Sequence, residues 1–129
     1  MYDCNILVID DDNIILELVQ VILEEVISGE IIVFSDSKKA LAYVLSDSMD
    51  KISLVICDWL MPDVSGLDIL ASLRKSKPHC PFLMLTGNAT KQLVVDSMRL
   101  GATDFAVKPF NTNDLLTKVE RIIRDADFE

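Results

Sequence analysis

Side chains suited to phosphate or hard-cation chemistry stand directly after several short apolar runs of this chain. Carboxylate oxygens favour Mg²⁺, Mn²⁺ or Ca²⁺ over zinc. A carboxylate can also be the nucleophile that accepts a phosphoryl group, and a nearby ammonium group and hydroxyl can stabilise that group during its transfer. The residues in these places are Asp10, Asp11, Asp12, Asp58, Thr86 and Lys108.

Several carboxylates cannot converge on one site without compensation. Two unit charges about 4 Å apart repel by roughly 4 kcal/mol at an effective dielectric constant of about 20. A bound cation or an added proton must offset this repulsion. Taken singly, the residues have simpler interpretations: Asp12 as a helix cap, Thr86 as a group bonded within its own turn, and Lys108 as a surface lysine. The indication of a site comes from their combination at the ends of four different strands.

Five short apolar runs predict β-strands, at residues 6–9, 31–34, 54–57, 82–85 and 105–107. The runs are continuously apolar, as expected of strands that are buried on both faces. Helix-period segments separate them, and this strict alternation predicts an α/β fold with parallel strands and helices on both faces. The functional site of such a fold lies beyond the carboxyl ends of the strands, near the point where strand order reverses.

The segments between the runs carry helix start and stop signals. We predict that Asn13 caps the first helix and that Gly29 marks its end. Ser37 is predicted to open the second helix, and Asn111 with Asp114 to form a capping-box start for the last one. The stripe of the first helix that is predicted to be buried contains Ile14, Ile15, Leu18, Val19, Ile22, Leu23 and Val26.

Charge and composition exclude several classes of protein. The chain has 129 residues, a formal net charge of −9 and 50% hydrophobic residues, which suits a single globular domain over residues 1–129. Its acidity argues against direct binding to nucleic acid, which needs clustered Lys and Arg. No apolar run approaches the roughly 20 residues of a membrane span, and residues 1–5 lack the basic start of a secretory signal. We therefore expect a cytoplasmic protein. Residues 125–129 are interpreted as an acidic tail.

The cysteines and the histidine are not expected to form a metal site. The three cysteines, Cys4, Cys57 and Cys80, are odd in number and lack metal-ligand spacing, which predicts free thiols in a reducing compartment. Cys57 lies in a predicted strand and is expected to be a small core residue. His79, the one histidine, is expected in an exposed loop, since His79 and Cys80 alone make a poor ligand set.

The motifs together resemble the receiver domain of two-component response regulators. The matching segments run in order over essentially the whole chain: ILVIDDD at 6–12, LVICDWLMP at 54–62, GL at 66–67, LTG at 85–87, and GA at 101–102 followed by FAVKPF at 105–110. The resemblance implies a chemotaxis-regulator-like fold. This fold is a doubly wound α/β domain with a five-stranded parallel sheet in the order 2-1-3-4-5 and helices on both faces.

The resemblance also implies a role for each site residue. Asp58 would be the phosphoacceptor and Mg²⁺ the cofactor. Asp11 would bind the metal directly, Asp10 mainly through a metal-bound water, and the backbone carbonyl of Leu60 would be a further ligand beside Asp58.

The remaining implied residues concern the phosphoryl group and the switch. Thr86 would donate a hydrogen bond to the phosphoryl group, and Lys108 would pair with it. Phe105 would be the aromatic switch residue, whose position follows that of Thr86. In the family the bond between Lys108 and Pro109 is typically cis.

The implied function is a signalling switch that catalyses its own phosphorylation and dephosphorylation, rather than an enzyme acting on other substrates. A sensor histidine kinase or a phosphotransfer protein would supply the phosphoryl group. The face built by the fourth helix, fifth strand and fifth helix would contact a downstream protein or output domain, or form a phosphorylation-dependent homodimer. Neither nucleic acid nor a membrane is an expected partner of this domain.

Two other functions compete with this one. A phosphatase of the haloacid dehalogenase type needs a second Asp two residues after the nucleophile, where this chain has Leu60, and it usually carries a cap for which the chain is too short. A receiver-like binding module that works without phosphorylation stays open as the alternative, although the complete set of acidic residues, Thr86 and Lys108 counts against it.

Overall fold

The structure is a computed structural model that describes residues 1–127, in which strands and helices alternate. The strands are β1 (Asn5–Ile9), β2 (Ile31–Phe34), β3 (Ile52–Asp58), β4 (Phe82–Thr86) and β5 (Asp104–Val107). The helices are α1 (Asn13–Glu24), α2 (Ser37–Val44), α3 (Gly66–Ser76), α4 (Lys91–Arg99) and α5 (Thr112–Asp127), and a short 3₁₀ helix (Asp47–Lys51) precedes β3. Each predicted apolar run lies within one of these strands.

The strands form one parallel sheet in the order β2-β1-β3-β4-β5. The chain moves outward from β1 to β2 and then returns across β1 to build the other half of the sheet. Strand order therefore reverses between β1 and β3, and their carboxyl ends border the crevice in which doubly wound folds bind ligands. The predicted fold class and strand order are confirmed.

Both faces of the sheet are covered, and successive residues of a strand enter different cores. In β1, Ile6 and Val8 pack in the core on the side of α1 and α5, whereas Leu7 and Ile9 pack in the core on the side of α2 and α3. This follows from the two-residue alternation of side chains along a strand. Because each face is covered by helices, all four residues are fully buried, which is the reason for the continuous apolar runs.

The N-terminal caps of α1 and α2 are Asp12, which the sequence also allowed as a helix cap, and Asp36, which directly precedes the predicted first residue Ser37. Asp12 has extended backbone angles (φ −92°, ψ 110°) and its side chain accepts the N–H of Ile14, so the prediction that Asn13 is the cap is wrong. Asp36 caps α2 in the same manner, and Ser37 is the first helical residue. Asp and Asn are equally good caps, and the choice falls on the residue that still has the extended conformation of the preceding strand or loop.

The end of α1 was also placed wrongly by the sequence. The helix ends at Glu24, five residues before Gly29. A Cβ atom at Gly29 would lie only 2.0 Å from the carbonyl oxygen of Cys4. Glycine is therefore required at this position by the close approach of the chain leading into β1, and not by a helix C-cap.

The buried face of α1 is rotated relative to the predicted stripe. Val19, Ile22 and Leu23 are buried as expected, but the stripe also includes Leu16. Ile14 is 75% exposed and Leu18 is 43% exposed. Eight of the twelve residues of this helix are apolar, so the sequence pattern alone defines the contact face poorly.

The remaining predictions about local structure have mixed outcomes. Asn111 accepts the N–H of Asp114 at 2.8 Å and donates its amide to the Asp114 carboxylate at 3.0 Å, so the predicted pair does stabilise the start of α5. Residues 125–127, interpreted as part of a tail, belong to α5, and 128–129 lie outside the described residues. Cys57 is buried and His79 is exposed, as expected. No helix within residues 1–127 is long and apolar enough to cross a membrane.

Candidate functional site

The carboxyl edge of the sheet brings together side chains that are far apart in sequence. Asp10 follows β1, Asp58 is the last residue of β3, Thr86 is the last residue of β4, and Lys108 follows β5. Asp10 and Lys108 are 98 residues apart along the chain, yet they form a hydrogen bond of 2.7 Å. Because the strands are parallel, all four ends lie at the same edge, and the predicted site residues share it.

An acidic cluster occupies the crevice between the ends of β1 and β3. The carboxylates of Asp10, Asp11 and Asp58 each offer an oxygen, and these oxygens all lie within 4.8 Å of one another. Asp10 is fully buried, Asp58 is 7% exposed, and Asp11 faces solvent. The Asp10 carboxylate is held in place by the backbone, because it accepts the N–H of Asp12 at 2.9 Å. The cluster is thus anchored at its inner end and open at its outer end.

Lys108 supplies a positive charge on the inner side of this cluster. Its Nζ lies 2.7 Å from Oδ2 of Asp10 and 3.2 Å from Oδ1 of Asp58. Burial lowers the pKa of Lys108, but the hydrogen bond and the charge of Asp10, together with Asp58, outweigh burial and raise its pKa above the ordinary value of 10.5. Lys108 therefore stays charged and bridges two of the three carboxylates. The bond between Lys108 and Pro109 is cis, as the resemblance implied.

One lysine does not neutralise the cluster, and the consequence is visible at Asp58. Burial, and then the neighbouring charge of Asp10, raise the pKa of Asp58 from 3.8 to about 6, against the opposing effect of Lys108. Behind it, burial and the charges of Asp58 and Asp10 raise the pKa of the Cys57 thiol well above its ordinary value. Cys57 is therefore an unreactive core residue. The site as a whole holds excess negative charge near its mouth, as a cation site does before its ion binds.

The donor set fits a hard divalent cation. All donors in the cluster are oxygen atoms, two of them belong to carboxylates that are almost fully buried, and the exposed Asp11 leaves a side open for water or a phosphoryl oxygen. Mg²⁺ typically binds through one or two protein carboxylates and keeps other positions for water and phosphate. The side chain of Leu60 is 71% exposed and has no donor atom for a metal. The ligand that the resemblance implies at this position is the backbone carbonyl, and that role stays a prediction.

The loop between β3 and α3 is tightly closed beside Asp58. The N–H of Gly66 donates to the carbonyl of Trp59 at 2.7 Å. A Cβ atom at Gly66 would lie 2.3 Å from the carbonyl oxygen of Asp58. Glycine is needed here because the first turn of α3 passes directly against the backbone of the acidic residue. In the sequence, Gly66 was marked only by the GL segment at 66–67 that is part of the resemblance to receiver domains.

Thr86 and Phe105 lie on the neighbouring strands β4 and β5. Thr86 is buried, and its hydroxyl oxygen accepts the backbone N–H of Asn88 at 3.1 Å. Phe105 is half-buried and pairs in register with Met84 of β4. The structure therefore places the two predicted switch residues close to each other in the sheet, with the hydroxyl of Thr86 engaged in its own turn.

Sequence reasoning missed a lysine that contacts Phe105. The Nζ of Lys118 donates to the carbonyl oxygen of Phe105 at 2.6 Å, lies 5.2 Å from the centre of its ring, and forms an ion pair with Asp104 at 3.5 Å. A cation over a ring face is attracted by the ring quadrupole. No local signal marks Lys118, since it is one of several charged residues on α5 and its contacts arise only when α5 packs beside β5.

Comparisons with known proteins agree on one family. The family model for the response regulator receiver domain matches residues 6–120. The chain is 33% identical to the alkaline phosphatase synthesis transcriptional regulatory protein SphR of Synechococcus elongatus over 125 residues, which cover 92% of this chain and 48% of that protein. It is 36% identical to the transcriptional regulatory protein CpxR of Escherichia coli over 120 residues, which cover 92% of this chain and 49% of that protein. The chain thus spans about half the length of the curated relatives it matches.

Solved structures give the same result. A response regulator receiver domain protein from Clostridium thermocellum superposes with a TM-score of 0.87 at 31% identity, covering 97% of this chain and 98% of that one. A CheY-like receiver domain protein from Methanospirillum hungatei gives a TM-score of 0.88 at 28% identity, with 98% of both chains covered. This chain belongs to the receiver domain family of two-component response regulators. As a class, receiver domains bind Mg²⁺ at an acidic pocket and interact with histidine kinases and output domains.

Proposed function

We propose that Asp58 of this chain accepts a phosphoryl group, with Mg²⁺ as cofactor, from a phosphohistidine of a sensor histidine kinase or a phosphotransfer protein. The observation that carries the proposal is the convergence of Asp58 with Asp10, Asp11 and Lys108 at the switch point of the sheet. A carboxylate oxygen of Asp58 would attack phosphorus as the phosphorus–nitrogen bond breaks. The departing imidazole would keep the electron pair of that bond and take up a proton.

The residues around Asp58 suit this reaction because they are already in place. Lys108, held by Asp10 at 2.7 Å, would stabilise the negative charge of a phosphoryl group on Asp58 from its present distance of 3.2 Å. Bound Mg²⁺ would neutralise the excess carboxylate charge and that of the phosphoryl oxygens. The exposed side of the cluster, at Asp11, would admit the donor. Such a domain is a switch that catalyses its own phosphorylation and dephosphorylation.

The output would pass through Thr86 and Phe105. The Thr86 oxygen accepts the N–H of Asn88, and a hydroxyl group that accepts one hydrogen bond can donate its proton in another. A phosphoryl oxygen is a strong acceptor and would draw that hydroxyl towards Asp58. Phe105 would then move into the vacated space and shift the equilibrium between two conformations of the face formed by α4, β5 and α5. A downstream protein, an output domain or a second copy of the chain would read this face.

The test of phosphorylation is intact-mass measurement after incubation with Mg²⁺ and acetyl phosphate. The wild-type chain should gain one phosphoryl group, and neither the Asp58→Asn variant nor an EDTA-treated sample should be labelled at that site. Asp63→Asn is the matched control, because Asp63 is exposed and lies in the loop after β3, and it should be labelled like the wild type. Failure of the wild type to be labelled would favour a receiver that binds its partner without phosphorylation.

A further inference from the structure

The loop after β3 is held in the middle by a serine from another element. Residues 59–65 connect Asp58 to α3, and the ends of the loop are fixed by backbone bonds from Trp59 to Leu85 at 2.9 Å and from Gly66 to Trp59 at 2.7 Å. Among residues 1–127, and apart from the loop itself and α3, only Ser37 forms hydrogen bonds with positions 60–64. The middle of the loop therefore depends on one hydroxyl group for its polar contacts to the rest of the fold.

Ser37 makes two bonds with that hydroxyl. Its Oγ donates to the carbonyl oxygen of Pro62 at 2.6 Å and accepts the N–H of Val64 at 3.2 Å. The same N–H also donates to the Pro62 carbonyl oxygen, at 2.8 Å. The residue is 4% exposed, so water does not readily replace either bond. Between the two bonded positions stands Asp63, whose backbone is left-handed (φ 71°). A non-glycine residue in this conformation needs support from its surroundings. The bond from the Val64 N–H to the Pro62 carbonyl closes the turn across Asp63, and the two bonds of Ser37 hold that turn against α2.

The serine is itself fixed in direction. It is the first residue of α2, and the cap Asp36 accepts the N–H groups of Lys38 and Lys39, which sets the first turn of the helix. Ser37, Pro62 and Asp11 line the same cleft. The hydroxyl thus lies on a rigid element next to the acidic cluster, which is where a residue that positions the loop is expected.

We propose that Ser37 is a positioning residue for the site: it holds the loop after β3 so that the backbone near Leu60 keeps its place beside Asp58 when the cation binds. The inference rests on the proposed Mg²⁺ site, and it assigns Ser37 no contact with the metal or the phosphoryl group. Removing the hydroxyl leaves all three carboxylates and Lys108 unchanged. Any loss of Mg²⁺ affinity in its absence then reports on the position of the loop.

The experiment compares Ser37→Ala with Ser35→Ala, a matched control at an exposed serine that lines the same cleft. In Ser37→Ala the N–H of Val64 keeps its bond to Pro62, but the turn that contains both residues loses its hydrogen bonds to α2. Without metal, amide hydrogen exchange of Val64 should therefore be about 3- to 10-fold faster, the range expected when one neutral hydrogen bond no longer opposes opening of the turn. In a Mg²⁺ titration followed by Trp59 emission, the dissociation constant should rise by about the same factor. Ser35→Ala should match the wild type in both measurements.

A conservative variant separates positioning from plain stability. Ser37→Thr keeps the hydroxyl and should restore Mg²⁺ affinity to within about 2-fold of the wild type, although its extra methyl group can lower the urea midpoint. Ser37→Ala with a lower urea midpoint but unchanged exchange at Val64 and unchanged Mg²⁺ affinity would overturn the proposal. If the wild type itself does not bind Mg²⁺, the proposed function fails, while unchanged exchange at Val64 would separately refute the role of Ser37 in holding the loop.

Discussion

Replacing Asp58 with Asn should stabilise the metal-free protein at neutral pH. Asp58 is 7% exposed, and burial together with the charge of Asp10 raises its pKa from 3.8 to about 6. The unfolded chain has no such burial, so its carboxyl ionises at the ordinary value. Above about pH 6, folding must therefore keep a charge in surroundings that disfavour it. Asn has nearly the same shape without the charge.

The size of the effect follows from the pKa. A carboxyl whose pKa rises from 3.8 to about 6 on folding opposes folding by about 3 kcal/mol at neutral pH. Solvent that reaches the cluster from the exposed side of Asp11 screens this interaction, and we expect about 1–2 kcal/mol to remain. Lys108 keeps its 2.7 Å bond to Asp10 in the variant. The free energy of unfolding should thus increase by about 1–2 kcal/mol in EDTA at about pH 7.5.

The stability gain of Asp58→Asn over the wild type should increase with pH. Between pH 3.8 and about 6 the folded wild type binds more protons than the unfolded chain, so its stability falls as the pH rises through this window. Below the window Asp58 is protonated in both states and the advantage of Asn disappears. Above the window the advantage is complete. Urea denaturation of both proteins in EDTA, from about pH 4 to about pH 8, measures this difference directly.

The control is Asp63→Asn, the same substitution at an exposed carboxylate whose left-handed backbone Asn adopts readily. This variant should show no gain that changes with pH. With saturating Mg²⁺ the wild type should recover stability relative to Asp58→Asn, because the cation binds the intact cluster more tightly. An Asp58→Asn protein that is no more stable than the wild type near neutral pH, or a gain that is independent of pH, would refute the electrostatic reasoning.

Two further predictions concern packing and the switch. Gly66→Ala should lower the free energy of unfolding by about 2 kcal/mol or more, because its Cβ would meet a backbone oxygen at 2.3 Å, whereas Gly87→Ala, with no atom within 4 Å of its Cβ, should change it by less than about 0.5 kcal/mol. Equal urea midpoints for the two variants would contradict the close approach. Lys118→Met removes the hydrogen bond and the cation–ring contact that hold Phe105 in its present position. NMR spectra with and without beryllofluoride should therefore differ less at Phe105 in this variant than in the wild type. Arg121→Met, at an exposed position of the same helix, should show the wild-type difference.

The parts of the fold that could be predicted from the sequence are those that depend on local composition. The run at 54–57 within β3 was recognisable because both faces of the sheet are covered, so these four residues are apolar without interruption. The acidic, hydroxyl and lysine groups at the strand ends were recognisable because parallel strands end at one edge. Their identity and order along the chain also carried the resemblance to the receiver family.

Errors arose where two local choices are nearly equal in energy. Asp12 and Asn13 are both good caps, and the backbone leaving β1 selects Asp12. Ile14, Leu16 and Leu18 are all apolar, and the sheet selects Leu16 for burial while Ile14 stays exposed. The first choice depends on the path of the backbone out of the strand and the second on the orientation of the helix on the sheet, and no short segment contains either.

The sequence by itself determined the class of fold and the chemical groups available at the strand ends. Only the tertiary structure decided how those groups act on one another. The bond between Asp10 and Lys108 joins residues 98 positions apart, and the raised pKa of Asp58 depends on that cluster and on its burial. The contacts of Ser37 with Pro62 and of Lys118 with Phe105 likewise join separate elements. Local patterns specify which backbone a segment prefers, whereas burial and charge coupling depend on what the whole chain packs around it.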